Sequence, residues 1–181
     1  YQTIAELLTE QGYKNSGIVA HTRILPEEGF GRGFHRYALQ NMTSWLKRNQ
    51  DASTVVDTLL QWLDADVKTG SDNLFYFAHV FDPHYPYIPP LSRTPGDIDL
   101  SAVEAFREAP ELYEYEESPS QEIPLDPEVI ETLKEYYAES LEYTSSQLVR
   151  FVNELKRKGM FEDAFIIIAG DHGEEFYERG L

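Results

Sequence analysis

The sequence contains no cysteine and comparatively few basic residues. Without cysteine, its 181 residues hold no disulfide framework, no thiolate metal site and no cysteine nucleophile. Lys and Arg total 15 against 32 Asp and Glu, for a formal net charge of −17. Such an acidic chain repels nucleic acid, so we expect no nucleic-acid partner. The excess predicts a solvated acidic surface, with a patch for a cationic partner as the alternative.

Long hydrophobic runs are also missing, so we expect no membrane segment within these residues. What is present, 41% hydrophobic and 13% aromatic residues, is typical of a packed globule with one core. We expect residues 1–181 to be part of one domain of a longer protein. Between Asp97 and Glu122 there are nine acidic residues and one basic residue, which predicts an acidic peripheral insertion at about 92–125.

Helical and strand patterns alternate along the chain. Thr3 and Glu6 have the spacing of a capping box, and Asp126-Pro127 is a typical start for the long apolar-striped segment that follows. Residues 53–63 are helical by period. Buried strands are predicted at 16–20, 73–81 and 164–169, where the last is the run AFIIIA. This order predicts an α/β fold, a layered and mostly parallel sheet flanked by helices.

Polar side chains follow each of the three predicted strands. His21 follows the first, His84 the second, and Asp171-His172 the third. Since the carboxyl ends of parallel strands meet at one edge of a sheet, we expect these residues to share one crevice. A carboxylate oxygen and an imidazole nitrogen are ligands for divalent metals, so Asp171 and His172 are candidate metal ligands. Capping of the next turn is the alternative role for this pair.

The histidines differ in their expected roles. His84 lies between Pro83 and Pro86, and these rigid flanks suit it to donate a proton or a hydrogen bond to a bound anion. For His21, substrate binding and an exposed loop position are equally open. His79 lies within an apolar strand, so we expect a core histidine with satisfied hydrogen bonds.

The sequence contains the motifs GFGRGF at residues 29–34, HVFDPHYPY at 79–87 and IAGDHGEEF at 168–176. Together they carry a resemblance to one family, the sulfatases of the alkaline phosphatase superfamily. The resemblance extends over the TIAELL segment from Thr3 and over the long helix with Gly159. Order and spacing agree over nearly the whole sequence apart from the acidic insertion.

The resemblance implies metal-dependent hydrolysis of sulfate esters, with a small-molecule or glycan sulfate as substrate. It makes Asp171 and His172 metal ligands, His84 a catalytic contact to the ester, and His21 a substrate-binding residue, although the family's neighbouring lysine is absent. Ca²⁺ or Mg²⁺ is most typical, and the imidazole nitrogen of His172 also permits Mn²⁺ or Zn²⁺.

The family's formylglycine nucleophile, made within a Cys/Ser-x-Pro/Ala-x-Arg motif, is expected outside this sequence. The 181 residues alone are therefore expected to lack turnover and to bind metal poorly. A phosphodiesterase, a phosphonate hydrolase or a phosphoglycerol transferase on the same scaffold stays open, as does a non-catalytic homologue. Substrate identity, compartment and oligomeric state do not follow from the sequence.

Overall fold

The structure is a computed structural model that describes residues 1–21, 23–40, 51–84, 87 and 126–176. The acidic insertion predicted at about 92–125 lies outside the described residues. The helices are α1 (Ile4–Glu10), α2 (Asp51–Lys68) and α3 (Pro127–Arg157), and the strands are β1 (Lys14–Val19), β2 (Arg36–Leu39) and β3 (Leu74–His79). A 3-10 turn at Pro26–Glu28 precedes β2. None of the helices within these ranges is both long and apolar enough to cross a membrane.

The three strands form one parallel sheet in the order β2-β1-β3. Ser16 of β1 pairs with Arg36 on one side and Tyr76 on the other, and Val19 pairs with His79. The central strand β1 is buried from Asn15 onward, as expected for a parallel strand covered on both faces. The predicted α/β architecture is therefore confirmed, although the sequence analysis did not identify the short strand β2.

Both predicted helix starts are confirmed. The Thr3 hydroxyl accepts a hydrogen bond from Glu6 N at 3.1 Å, and the Glu6 carboxylate accepts one from Thr3 N at 2.8 Å. At the start of α3, the Asp126 carboxylate accepts from Glu128 N at 2.9 Å. These side chains satisfy amide groups that have no partner within the first helical turn, so each helix begins where its sequence specifies.

Helix α2 covers the sheet and connects it to α3. Its residues Val55 and Leu59 form a buried apolar cluster with Ile18 and Ala20, and Phe151 of α3 packs against the same cluster. The predicted helix at 53–63 is confirmed and extends further in both directions. Apolar packing thus holds β1, α2 and α3 together.

Asp66 of α2 forms a buried ionic network near the opposite, amino-terminal ends of the strands. Its side chain is 1% exposed, accepts a hydrogen bond from Tyr76 Oη at 2.6 Å and pairs with Lys14 Nζ at 2.6 Å and with the Arg36 guanidinium. Burial opposes ionisation, but the Lys14 and Tyr76 hydrogen bonds and the two cationic charges lower the pKa of Asp66 overall. The pKa of Tyr76 is raised by burial and by this carboxylate.

The prediction of a buried strand at 164–169 is wrong for the described residues. This segment has no strand assignment, and Phe165 is 91% exposed, Ile167 75% and Ile168 70%. A strand exists only when its backbone pairs with a neighbour, and none of the described strands pairs with this segment. The segment is apolar, but apolar composition alone does not provide the neighbouring strand with which its backbone would form hydrogen bonds.

Candidate functional site

Two of the predicted site histidines lie together at the carboxyl edge of the sheet. Since Val19 pairs with His79 in the parallel register, the chains leaving β1 and β3 emerge side by side. The His21 ring lies 4.5 Å from the Phe81 ring, and the His84 ring stacks on Phe81 at 4.2 Å. Phe81 therefore contacts both imidazole rings. The chemical roles of His21 and His84 stay predictions.

The hydrogen bond at His21 fixes its tautomer. Nδ1 of His21 accepts a hydrogen bond from the backbone N of Arg23 at 3.1 Å. An acceptor nitrogen carries no proton, so the neutral ring holds its proton on Nε2. In the neutral His21 ring, Nε2 is therefore the nitrogen that can donate.

His84 lies on a tight turn that is stabilised by backbone hydrogen bonds and by Asp82. Its backbone N donates to Phe81 O at 3.1 Å, and Tyr87 N donates to His84 O at 3.2 Å. The buried Asp82 side chain accepts from Ala52 N at 2.7 Å, which ties the turn to the start of α2. His84 itself is exposed, whereas Pro86, its predicted second clamp, lies outside the described residues.

Asp171 and His172 follow the exposed apolar segment and are themselves exposed. The Asp171 carboxylate accepts from His172 N at 3.1 Å. Hydrogen bonds from its own backbone and from that of His172, with the His172 charge, lower the pKa of Asp171. The Gly173 carbonyl, followed by the Asp171 carboxylate, raises the pKa of His172.

The geometry of this pair fits two ligands of one metal ion. His172 Nδ1 lies 2.7 Å from Gly173 O, and because a carbonyl only accepts, Nδ1 is the donor. Nε2 then keeps its lone pair, 3.7 Å from Asp171 Oδ2. Two atoms bound about 2.1 Å from one ion lie roughly 3 to 3.5 Å apart, so a small adjustment brings both onto a metal. Within the described ranges no third acidic, histidine or cysteine side chain completes a cluster.

His79, the last residue of β3, lies within electrostatic range of Asp171 and His84. Its side chain is half-buried, and its Nδ1 is buried without a hydrogen-bond partner among the described residues. Burial lowers the pKa of His79, the Asp171 carboxylate raises it, and His84 lowers it, so both groups lie within electrostatic range. The expectation of a satisfied core histidine is therefore wrong. The strand predicted at 73–81 ends at His79 in the structure, so this residue lies at the edge of the sheet.

An aromatic cluster joins the two segments that carry the candidate site residues. Tyr87, three residues after His84, lies with its ring 5.7 Å from Tyr137 and 5.4 Å from Phe176. Tyr137 and Phe176 are also 5.4 Å apart, and all pack on α3 beside Leu133 and Tyr136. Tyr87 has φ 51°, a left-handed conformation that is rare for a bulky residue. The sequence analysis did not identify this cluster.

Comparisons with known proteins agree with the resemblance. The family model described as Sulfatase matches residues 1–181. A similar solved structure is the lipoteichoic acid synthase LtaP from Listeria monocytogenes, with a TM-score of 0.53 and 16% sequence identity. The match covers 89% of this chain and 34% of that chain, so this sequence spans about a third of its neighbour's length. At this identity the likeness shows the fold alone. A search of curated proteins gives no match.

Proposed function

Because this chain belongs to the sulfatase family, we propose that residues 1–181 form part of a metal-dependent catalytic domain that hydrolyses sulfate esters in the intact protein. The observation that carries the proposal is the tautomer of His172, which donates through Nδ1 to Gly173 O at 2.7 Å and keeps Nε2 free beside Asp171. A metal-binding histidine typically donates its other ring N–H in this way. The capping alternative gives no reason for that orientation.

Asp171 and His172 would supply two of the ligands, and the others would come from residues outside the described site. A bound divalent cation polarises the ester oxygens and offsets the charge that develops on them. An acidic chain with a formal charge of −17 repels an anionic ester, so donors in the crevice are needed to hold it.

The histidines at the sheet edge are the proposed donors. His21 would donate its Nε2–H to a non-bridging oxygen of the ester, since its Nδ1 is occupied by Arg23 N. His84 would donate a hydrogen bond or a proton to the leaving oxygen, which departs from sulfur as the ester bond breaks. Stacking on Phe81 at 4.2 Å limits the rotation of the His84 ring and therefore preorganises it.

Phosphoryl transfer is the second candidate function. The solved neighbour with a similar fold is a lipoteichoic acid synthase, and the family's usual lysine is absent beside His21. A phosphodiester or phosphonate carries the same non-bridging anionic oxygens as a sulfate ester, so the same histidines would suit it. A phosphodiesterase, phosphonate hydrolase or phosphoglycerol transferase would use these contacts with a different nucleophile.

The intact protein tests these proposals. Aryl sulfate, aryl phosphate and phosphodiester substrates should be compared in the presence of Ca²⁺, Mg²⁺, Mn²⁺ and Zn²⁺. Asp171→Ala should abolish metal-dependent turnover and weaken metal binding, whereas Asp163→Ala, an exposed carboxylate on the same segment, should change neither. Unchanged turnover in Asp171→Ala would reject the metal assignment. A wild-type protein that binds metal but turns over none of the esters would favour a non-catalytic homologue.

A further inference from the structure

His79 occupies the junction between the two halves of the candidate site. It is the last residue of β3 and pairs with Val19, two residues before His21. Its ring lies 5.9 Å from Phe81, the same ring that stacks on His84. Three histidines thus surround one phenylalanine at the edge where ligands of parallel sheets collect.

The hydrogen bonding of His79 is incomplete in the described part of the chain. Its Nδ1 is buried and makes no hydrogen bond there. A buried polar atom left without a partner is unfavourable, and in native proteins such groups commonly have a functional reason. With the ring proton on Nε2, the buried Nδ1 is an unpaired acceptor and Nε2 has an N–H to donate. His79 therefore presents one N–H donor.

The His79 imidazole can serve as a neutral hydrogen-bond donor. Burial lowers its pKa, which keeps the imidazole neutral near pH 7 despite the attraction of Asp171. A neutral donor does not neutralise the nearby carboxylate, which stays available for a metal.

We propose that His79 is a substrate-contacting residue that donates its Nε2–H to a non-bridging oxygen of the bound sulfate or phosphate group. This rests on the proposed function of the same crevice. The competing roles are purely structural packing against Phe81 and positioning of the metal through Asp171. Each predicts a different response to substitution.

The test measures the binding of inorganic sulfate and inorganic phosphate to the intact protein. His79→Ala should weaken binding of the preferred anion about ten- to hundredfold, as for loss of a hydrogen bond to a charged group. His79→Gln places an N–H near the position of Nε2 and should restore much of the binding, whereas His79→Asn, which mimics Nδ1, should not. His35→Ala, an exposed histidine whose Nδ1 accepts from Asn15 N at 3.3 Å, is the control.

Metal affinity and turnover separate the alternatives. The dissociation constant for Mn²⁺ should change less than twofold in His79→Ala, while KM rises together with the dissociation constant of the anion. Unchanged anion binding, or a loss of metal affinity that accounts for the whole effect, would overturn the proposal. If His79→Ala unfolds, the contrast between His79→Gln and His79→Asn decides. A wild-type protein without turnover would reject the proposed function, whereas anion binding tests His79 independently.

Discussion

The ring of Tyr87 lies 5.4 Å from the ring of Phe176, and both pack on the same face of α3. Tyr87 ends the turn that carries His84, and Phe176 follows the loop that carries Asp171 and His172. The contact between these two rings therefore joins the segment of the proposed proton donor to the segment of the proposed metal ligands. The left-handed backbone of Tyr87, φ 51°, is a local strain that this packing must maintain.

Truncation of Phe176 should destabilise the protein. Phe176→Ala removes a nearly buried ring from the cluster and should lower the free energy of unfolding by about 3 kcal/mol or more, as is typical of buried phenylalanine. Urea unfolding measures the change. Phe165→Ala is the matched control, because that ring is 91% exposed and its removal should change stability little. Equal effects of the two variants would contradict the packing described.

The buried carboxylate of Asp66 should be essential for stability. Asp66→Asn leaves Lys14 and Arg36 facing each other without a counter-charge, and breaking a buried pair in this way costs about 3 to 5 kcal/mol. Asp57→Asn is the control, since Asp57 pairs with Arg150 at the exposed surface, where ion pairs contribute little. A midpoint of unfolding that is equal for both variants would show that the network contributes nothing.

The same carboxylate predicts a dependence of stability on pH. The pKa of Asp66 is lowered in the folded state, so its contribution is fully present above its unfolded pKa of about 3.9. The contribution is lost as the pH falls through the lower folded value. The stability difference between wild type and Asp66→Asn should therefore be constant from pH 5 to 7 and should shrink at pH 3. A constant difference down to pH 3 would argue against a lowered pKa.

Local signals in the sequence predicted the helices and two of the three strands well. Caps at Thr3 and Asp126 act within one turn, so nearby residues suffice to specify them. The contacts that join distant segments were not predictable in this way. Asp82 binds the amide of Ala52, thirty positions earlier, and no periodicity reports such a pairing. The aromatic contact between Tyr87 and Phe176 likewise joins residues that are far apart in the sequence.

The bond from Ala52 to Asp82 should govern the start of α2. Asp82→Ala removes the acceptor at 2.7 Å and should cost about 1 kcal/mol, similar to the loss of a helix cap. Asp82→Asn keeps a side-chain oxygen and should retain most of the stability. Amide hydrogen exchange at Ala52 provides a local measurement, and it should accelerate only in Asp82→Ala. Unchanged exchange would mean that another group protects this amide.

The exposed segment 164–169 should make the isolated 181-residue chain prone to association. Phe165, Ile167 and Ile168 are exposed residues of an apolar run without a charge, a composition that favours intermolecular strand pairing. Ile167→Lys places a charge in the middle of this run and should reduce both light scattering and binding of a hydrophobic dye. Val149→Lys is the matched control, because Val149 is an exposed residue on α3 outside this run. If Val149→Lys reduces association as strongly as Ile167→Lys, the effect comes from net charge, and segment 164–169 is not the surface through which the chains associate.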